Sequence, residues 1–363
     1  MKTIKFDDFN IPVISQGVGG GSDYSDDERI KSIEYGIDLG MNFIDTAEAY
    51  EDGHSEELLG KAIQGKREDV YVATKVSPEN CRYSQVLKAI DRSLKRLRTD
   101  YIDLYQIHWP NPAIPLEETL KAFEEIMASG KIKKVGLSNF SLDDFIKAQK
   151  IFDGKIFSNQ VEYNISERSI ESDFIPYSKN NHIPILAYNP LYLGSRSVRN
   201  ILSKLSERYE KTPFQIIINF LVQNTNIIIL QGARSFEHIK QNAEAIDFEF
   251  DDTDLIELKE ISKTKIVEVI PSQVRVIITD SNILYTTIEE ALQNKLNLEP
   301  SIQDLSENII KEGLLKPIRL VPTTDKSGIC KYNLIRGKMR FWAWVLAYGE
   351  QPIPAIINDF PYR

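Results

Sequence analysis

Eight short runs rich in Val and Ile recur in the first 230 or so residues, and longer stretches with a helical apolar period separate them. This alternation is typical of repeated βα units on a parallel sheet. No G-x-G-x-x-G follows the first run, so a closed eight-stranded barrel is favoured over an open doubly wound sheet. The predicted fold class is α/β, a (β/α)8 TIM barrel, with strands at 13–18, 42–45, 70–75, 102–108, 134–138, 156–160, 185–188 and 227–230.

The stretches between the runs have the apolar stripe that an outer barrel helix needs. In DDERIKSIEYGIDLG, the residues Ile30, Ile33 and Ile37 share one side and the charged residues occupy the other. The segments YSQVLKAIDRSLKRLRTD, LEETLKAFEEIMASGK and SLDDFIKAQKIF follow the same pattern. We predict a helix in each of them.

Composition places the chain among ordinary globular proteins. With 363 residues, of which 42% are hydrophobic and 27% charged, one large domain and a small one are expected. Cys81 and Cys330 have no disulfide or metal spacing, which favours a reducing compartment. The first residues lack a signal-peptide pattern, and no apolar run approaches the roughly 20 residues of a membrane span. We predict a cytoplasmic protein that does not bind membranes.

The net charge of -9 is unevenly distributed along the chain. From Lys265 onward there are 12 basic and 11 acidic residues, against 32 basic and 42 acidic residues before it. Neither part has the basic excess of a protein that binds phosphate backbones. Nucleic-acid binding is therefore not expected.

Polar residues close most of the predicted strands at the end where barrel enzymes carry their chemistry. They are Asp45, Lys75, His108, Ser138 with Asn139, Gln160 and Tyr188. Taken singly, a strand-end Asp is an ordinary cap or turn residue, and a lone His is an ordinary core residue. Because these groups fall on successive units at the same end, the pattern favours an active site.

Seven motifs occur in a fixed order: NFIDTAEAY (42–50), ATK (73–75), QIHWP (106–110), GLSNF (136–140), NQVEYN (159–164), AYNPL (187–191) and GARSFEHIKQN (232–242). With them, the chain resembles the aldo-keto reductases from about residue 5 to residue 261. The resemblance implies an NADPH-dependent oxidoreductase that reduces an aldehyde or ketone to an alcohol by reversible hydride transfer.

For catalysis, the resemblance implies Tyr50 as proton donor and His108 as a hydrogen-bond donor to the carbonyl oxygen. Negative charge develops on that oxygen as the hydride arrives, so a proton donor is needed there. A free phenol, with a pKa of about 10, is a reluctant acid. The ammonium of Lys75, paired with Asp45, favours the ionised phenol and lowers its pKa. No metal is expected, because the histidines show no ligand spacing.

For the cofactor, the resemblance assigns the nicotinamide carboxamide to Ser138, Asn139 and Gln160, and ring stacking to Tyr188. Arg234 stands where the family contacts the adenosine 2'-phosphate, and a guanidinium there favours NADP over NAD. His238, Gln241 and Asn189 replace a basic, an acidic and a serine residue that the family commonly has. The predicted cofactor residues are Gly20, Ser138, Asn139, Gln160, Tyr188, Asn189, Leu191, Gly232, Arg234, Ser235, His238, Gln241 and Asn242.

The predicted substrate pocket contains Trp109 and Tyr24, whose apolar surfaces would accept aldehydes or ketones without strong discrimination. The physiological substrate is left open, because pocket loops decide it.

A different pattern begins near Lys265, and the predicted domains are 1–264 and 265–363. A helix ending at Gly313, the segment LLKPIRLVP, and a strand, turn and helix around Gly337 and Arg340 follow. These features resemble the ParB/sulfiredoxin-like fold, a small α+β domain with a G-x-x-R phosphate-binding turn. A glycine turn feeding a helix N-terminus is an anion site. The resemblance thus implies a nucleotide phosphate at Gly337, Lys338 and Arg340.

Several roles remain open for this second domain. The protein could be a regulator that acts through this domain, either because the barrel senses NADP(H) and its occupancy sets the state of the domain or because the domain binds a nucleotide. The domain could instead pack on the barrel or join copies of the chain in a homo-oligomer. A small-molecule kinase activity is a third role. Nucleotide-binding members usually have an acid and a second basic residue at the two middle positions of the turn, which here are Lys338 and Met339. The missing carboxylate argues against the kinase.

Overall fold

The computed structural model describes residues 1–20, 24–232, 235–261, 266–276, 285–294, 300–314, 317–323 and 330–357. The chain separates into two compact units, the first made of residues 1–110, 114–193 and 199–261 and the second chiefly of residues 262–363. The predicted domain boundary at 264/265 lies outside the described residues. Among the described residues, no helix has the length and apolar character needed to cross a bilayer.

The first unit is a closed barrel of parallel strands, which confirms the predicted barrel. The hairpin of β1 (Thr3–Phe6) and β2 (Phe9–Pro12) precedes it and was not predicted. The barrel strands are β3 (Ile14–Gly17), β4 (Phe43–Asp45), β5 (Tyr71–Val76), β6 (Ile102–Ile107), β7 (Ile132–Ser138), β8 (Ile156–Glu162), β9 (Ile185–Tyr188) and β10 (Ile227–Gln231). They follow one another around the barrel, and β10 closes it by pairing with β3. Each predicted run overlaps one of these strands.

The hairpin closes one end of the barrel by burying aromatic side chains there. Phe6 and Phe9 join a buried cluster with Phe43, Phe157 and other strand residues, most of them from the first halves of the strands. The ring of Phe9 lies 4.7 Å from that of Tyr71 and 5.3 Å from that of Phe157. Because this end is filled by apolar groups, polar chemistry is left to the carboxyl ends of the strands.

Helices connect the strands on the outside, and several begin at sequence-encoded caps. Ser25 forms a capping box with Glu28, and Thr212 forms one with Gln215. The helices described up to Glu260 are α1 (Asp26–Asp38), α2 (His54–Ala62), α3 (Tyr83–Leu97), α4 (Leu116–Ala128), α5 (Leu142–Ile151), α6 (Phe174–Asn181), α7 (Arg196–Tyr209), α8 (Pro213–Leu221), α9 (Phe236–Ala243) and α10 (Asp252–Glu260). Each of the four helical segments named from the sequence contains one of them.

Helix α2, which follows the loop carrying Tyr50, packs closely on α3. Glu56 is fully buried and accepts hydrogen bonds from Arg96 Nε and Thr74 Oγ1, both at 2.6 Å. At Gly60 a Cβ atom would lie 2.5 Å from the backbone oxygen of Arg96 and 2.8 Å from the carbonyl carbon of Leu97. The two helices can therefore approach this closely only because residue 60 has no side chain.

The second unit is an α+β fold with a mixed sheet in the order β11-β15-β13-β14-β12. Its elements are β11 (Ile266–Val269), β12 (Val274–Val276), α11 (Ile288–Leu292), α12 (Ile302–Glu312), β13 (Ile318–Pro322), β14 (Tyr332–Arg336), α13 (Lys338–Tyr348) and β15 (Ile353–Ile357). The sheet packs Leu320, Leu334 and Ile353 against Phe341 of α13. Its likeness to ParB/sulfiredoxin-like proteins stays a prediction.

The close contact of α2 with α3 predicts that Gly60→Ala destabilises the barrel. Alanine favours a helix by about 1 kcal/mol over glycine. Overpacking against backbone atoms, which cannot swing away, costs about 1–3 kcal/mol and outweighs that gain. We expect a lower urea midpoint for Gly60→Ala. In the control Gly17→Ala, the added Cβ meets no atom nearer than 3.7 Å, and the urea midpoint should stay at the wild-type value. A midpoint for Gly60→Ala at or above the wild-type value would contradict this packing.

Candidate active site

A buried ion pair lies at the carboxyl ends of the neighbouring strands β4 and β5. Lys75 Nζ donates to Asp45 Oδ2 at 2.6 Å and to the carbonyl oxygen of Thr46 at 2.7 Å, and Lys75 is fully buried. Burial by itself lowers the pKa of Lys75, but the carboxylate of Asp45 and the hydroxyl of Tyr50 together raise that pKa above its usual value. Lys75 is therefore a cation at neutral pH.

Tyr50 and His108 lie beside this cation. The Lys75 ammonium is 5.1 Å from the centre of the Tyr50 ring, and the His108 ring is 5.5 Å from that ring at an angle of 82°. Burial, and then the charge of Lys75, lower the pKa of His108 to about 3. At neutral pH, His108 is thus a neutral imidazole that donates one hydrogen bond and carries no spare proton.

Two amide side chains hold the second carboxylate oxygen of Asp45. Gln160 Nε2 donates to Asp45 Oδ1 at 2.8 Å, and Gln106 Nε2 donates to the same atom at 3.1 Å. Both glutamines are buried. Gln160 was predicted from the sequence as a cofactor ligand, whereas Gln106 was not singled out.

The ends of β7 and β9 are joined to His108 through Asn139. Tyr188 donates its hydroxyl to Asn139 Oδ1 at 2.8 Å. Asn139 Nδ2 in turn donates to Ser138 Oγ at 3.0 Å and to the carbonyl oxygen of His108 at 3.1 Å. The structure thus brings Ser138, Asn139 and Tyr188 together at the end of the barrel that carries His108.

Carboxylates on both sides of Tyr50 anchor its loop. Glu48 is buried and accepts hydrogen bonds from the backbone of Ser77 at 2.9 Å and from Asn80 Nδ2 at 2.8 Å. Glu51, in the left-handed region with φ of 53°, accepts from Arg29 Nη2 at 2.6 Å and Ser55 Oγ at 2.7 Å. These anchors fix Tyr50 from both directions along the chain.

Gly19 makes room for the Tyr50 ring. A Cβ atom at Gly19 would lie 2.5 Å from Cδ2 of Tyr50. Gly19 directly precedes Gly20, which is one of the cofactor residues predicted from the sequence. The contact of Gly19 with Tyr50, like the anchors Glu48 and Glu51, was missed.

A cavity of about 480 Å3 opens near the ends of β9 and β10. Ser235 caps α9 by accepting from the backbone of His238 at 3.2 Å, so the amino end of this helix borders the cavity. The lining residues are Tyr24, Asn189, Pro190, Leu191, Phe214, Leu230, Gly232, Ser235, His238, Gln241 and Asn242. Seven of these are predicted cofactor residues, and the predicted pocket residue Tyr24 lines the same cavity.

The remaining predicted residues are placed as follows. Asn189 has φ of 52° and donates from Nδ2 to Glu162 Oε1 at 2.9 Å. Gly20 has φ of 77°, which favours glycine. Trp109 is half-buried and follows His108 directly. Arg234 lies outside the described residues.

The family model of the aldo/keto reductases matches residues 15–263. This chain belongs to that family. The predicted resemblance is confirmed over this range, and the protein is an oxidoreductase. The match ends at residue 263, so it leaves the second unit unassigned.

Relatives and solved structures agree with the family. The chain is 32% identical over 264 residues to methylglyoxal reductase YeaE of Escherichia coli K12, covering 70% of this chain and 92% of that protein. The thermostable aldo-keto reductase Tm1743, solved with the inhibitor epalrestat, has a TM-score of 0.69 at 35% identity, covering 72% of this chain and 100% of that one. An aldo-keto reductase from Klebsiella pneumoniae, solved with NADPH, has a TM-score of 0.67 at 33% identity, covering 72% and 94%.

The turn predicted to bind phosphate connects β14 to α13 in the second unit. Gly337 is left-handed with φ of 91° and stands at the N-cap of α13. Arg340 Nη1 donates to the carbonyl oxygen of Pro317 at 3.3 Å. Lys338 is buried, and burial lowers its pKa. Phosphate binding at these residues stays a prediction.

The low pKa of His108 predicts an acid sensitivity that a variant should lose. Above about pH 6.5 this histidine is neutral in both folded and unfolded chains and contributes nothing. Below that pH the unfolded chain binds a proton that the folded chain does not, so stability falls towards pH 3. Between pH 6.5 and 4.5, the free energy of unfolding of His108→Gln, measured with urea, should fall less steeply with decreasing pH than that of wild type. The two slopes should differ by at most about 1.4 kcal/mol per pH unit.

The exposed residue His182 offers a matched control, because it is the C-cap of α6 and lies outside the site. His182→Asn retains His108, so the part of the acid sensitivity that His108 causes should remain in this variant. Equal slopes for His108→Gln and wild type would mean that His108 is protonated in the folded protein near pH 6.

Proposed function

We propose that the protein reduces an aldehyde or ketone to an alcohol with NADPH, and that Tyr50 donates the proton. The observation that carries this proposal is the buried Lys75–Asp45 pair beside Tyr50, together with a His108 whose pKa is too low for it to be the acid. The reaction is reversible, and Tyr50 accepts the proton when an alcohol is oxidised.

The residues around the cavity fit a dinucleotide. Helix α9 presents its amino end, Ser235, His238 and Asn242 supply polar groups, and the cavity is large enough for an adenosine moiety. Ser138, Asn139 and Gln160 would hold the nicotinamide carboxamide, and Tyr188 would stack on its ring. Bound NADPH supplies the hydride. The structures similar to this chain that contain NADP or NADPH support this choice.

The roles of the four central residues follow from their charges and positions. Tyr50 gives its hydroxyl proton to the carbonyl oxygen as negative charge develops there. Lys75 stabilises the phenolate that remains, because its cation lies beside the ring. Asp45 keeps Lys75 protonated and in place. His108 donates its N–H to the carbonyl oxygen and orients it, which needs the neutral imidazole.

Small aldehydes are the proposed substrates. The E. coli relative carries methylglyoxal in its name, and the chain covers 92% of that protein. Methylglyoxal is therefore the first carbonyl to test, followed by a panel of larger aldehydes and ketones.

Tyr50→Phe removes the proposed proton donor and little else. Loss of general acid catalysis should lower kcat by about 10²–10⁴-fold. Affinity for NADPH should stay within about threefold, because the phenyl ring still packs on Gly19. Methylglyoxal reduction followed by NADPH absorbance measures turnover, and fluorescence titration measures NADPH binding. Tyr177→Phe, on α6, serves as control and should keep full activity. Wild-type turnover by Tyr50→Phe would overturn the assignment.

Nucleotide binding by the second unit is our second proposal. A left-handed glycine that leads into the amino end of α13, where no side chain caps the helix, supports it, with Arg340 three residues later. ATP, CTP and GTP would be titrated into the full chain saturated with NADPH, so that the barrel cavity is occupied. Binding that Arg340→Ala removes would support a phosphate site. Equal binding by wild type and Arg340→Ala would overturn the phosphate site at this turn, and no binding by either protein would favour a packing or oligomerisation role.

A further inference from the structure

Gln106 is a fully buried polar side chain in the barrel interior, on β6 between Lys75 of β5 and Gly136 of β7. Its amide nitrogen donates to Asp45 Oδ1 at 3.1 Å. Its amide oxygen has no hydrogen-bond partner among the described residues. An unpaired buried oxygen costs stability, so packing alone does not explain an amide at this position.

The neighbouring strand is shaped to admit this side chain. A Cβ atom on Gly136 would lie 3.0 Å from Cγ of Gln106 and 2.6 Å from Oγ of Ser158. Because residue 136 has no side chain, Gln106 can extend across the barrel to Asp45. The glutamine, the glycine and the aspartate thus form one arrangement contributed by three strands.

Asp45 Oδ1 has two amide donors, and the proposed function gives one of them another task. If Gln160 binds the nicotinamide carboxamide, its bond to Asp45 at 2.8 Å is weakened or lost. Gln106 then remains as the amide that restrains this carboxylate. We propose that Gln106 is a positioning residue, which holds Asp45 against Lys75 in the cofactor complex and thereby tunes the acidity of Tyr50. This inference rests on the proposed function.

The expected direction follows from the dipole of the amide. An N–H group directed at Asp45 offsets part of its negative charge. Without that group, Tyr50 experiences a more negative surrounding, and its proton is held more tightly. The pH at which Tyr50 ionises during turnover should therefore rise, which is most visible in alcohol oxidation because that direction needs the phenolate.

Several charged groups besides Asp45 lie around Tyr50. Lys75 has a raised pKa, that of His108 is about 3, and the bond from Arg29 lowers the pKa of Glu51. Glu48, bound by Arg92 and Arg96, precedes Tyr50 in the loop, and His54, whose pKa is raised by Asp26, begins α2 after it. Since Gln106 bonds to none of these groups in the structure, changes at Gln106 should act on the limb of the pH profile that Tyr50 sets.

The test uses the whole protein and substitutions of graded charge. Gln106→Met keeps the length of the side chain but lacks the N–H group, and Gln106→Glu places a carboxylate beside Asp45. We expect the midpoint of the pH profile for kcat of alcohol oxidation to rise by about half to one pH unit in Gln106→Met, and further in Gln106→Glu. The kcat for reduction near neutral pH should fall about tenfold, and the Kd for NADPH should stay within about twofold.

Matched variants separate this role from packing and from cofactor binding. Gln16→Met removes another buried glutamine, which donates to the carbonyl oxygens of Ile33 and Met41, and should lower stability without moving the pH profile. Gln160→Met should weaken NADPH binding. Gly136→Ala crowds Gln106 without changing its chemistry, and should also shift the pH profile upward. This variant provides the test if the Gln106 variants do not fold.

The outcomes are distinguishable. A raised midpoint in Gln106→Met or Gly136→Ala with unchanged NADPH affinity supports the positioning role. Wild-type pH profiles in folded variants, with Tyr50→Phe inactive, overturn that role and leave the proposed function standing. Turnover by Tyr50→Phe would overturn both.

Discussion

The buried pair of Lys75 and Asp45 is the interaction on which the site depends. Removing two charges from water is costly, and their attraction offsets that cost only when further hydrogen bonds satisfy both groups. Here the carbonyl oxygen of Thr46 completes the bonding of Lys75, and two glutamine amides complete that of Asp45. Such a pair stabilises a fold little, so its presence is better explained by the positive charge that it keeps beside Tyr50.

The polarity of the barrel interior changes along the barrel axis, from an apolar end to the polar end that contains Lys75 and Asp45. The first halves of the strands bury Phe43, Phe157 and the hairpin residue Phe9, whereas the later halves bury Lys75 and Gln106. The apolar side chains at one end of the barrel stabilise the fold, and the hydrogen-bonded polar side chains at the other end form the site. The β1–β2 hairpin matters for function because it closes the apolar end of the barrel. Among the described residues, the end that contains Lys75 and Gln106 is the one that stays open.

The sequence predicted the strands and the polar residues at their ends, which local patterns encode. It did not predict contacts between residues that are far apart in the chain. Every barrel strand was located, because each contains a short run of apolar and β-branched residues. Most of these runs end in a polar residue, and Asp45, Lys75 and His108 were identified from that position. The hairpin was missed because its short strands are stabilised by residues such as Phe157, far away in the chain. Gln106 and Asp45 are 61 residues apart, so only the closed barrel shows their contact. Tyr24, predicted to line the substrate pocket, lines the same cavity as Asn242, and its role stays a prediction.

The turn at Gly337 shows how far local geometry supports an unassigned site. Arg340 already donates to the carbonyl oxygen of Pro317, and its guanidinium lies close to Gly337. A guanidinium carries five N–H groups in a fixed fork, so the same side chain can bond the backbone and a phosphate at once. A Cβ at Gly337 would lie 3.1 Å from Arg340 Nη2, and φ of 91° disfavours any other residue. The positive φ and the nearby guanidinium of Arg340 therefore explain why residue 337 is a glycine. A phosphate bound at the turn would be a further reason for a glycine at this position.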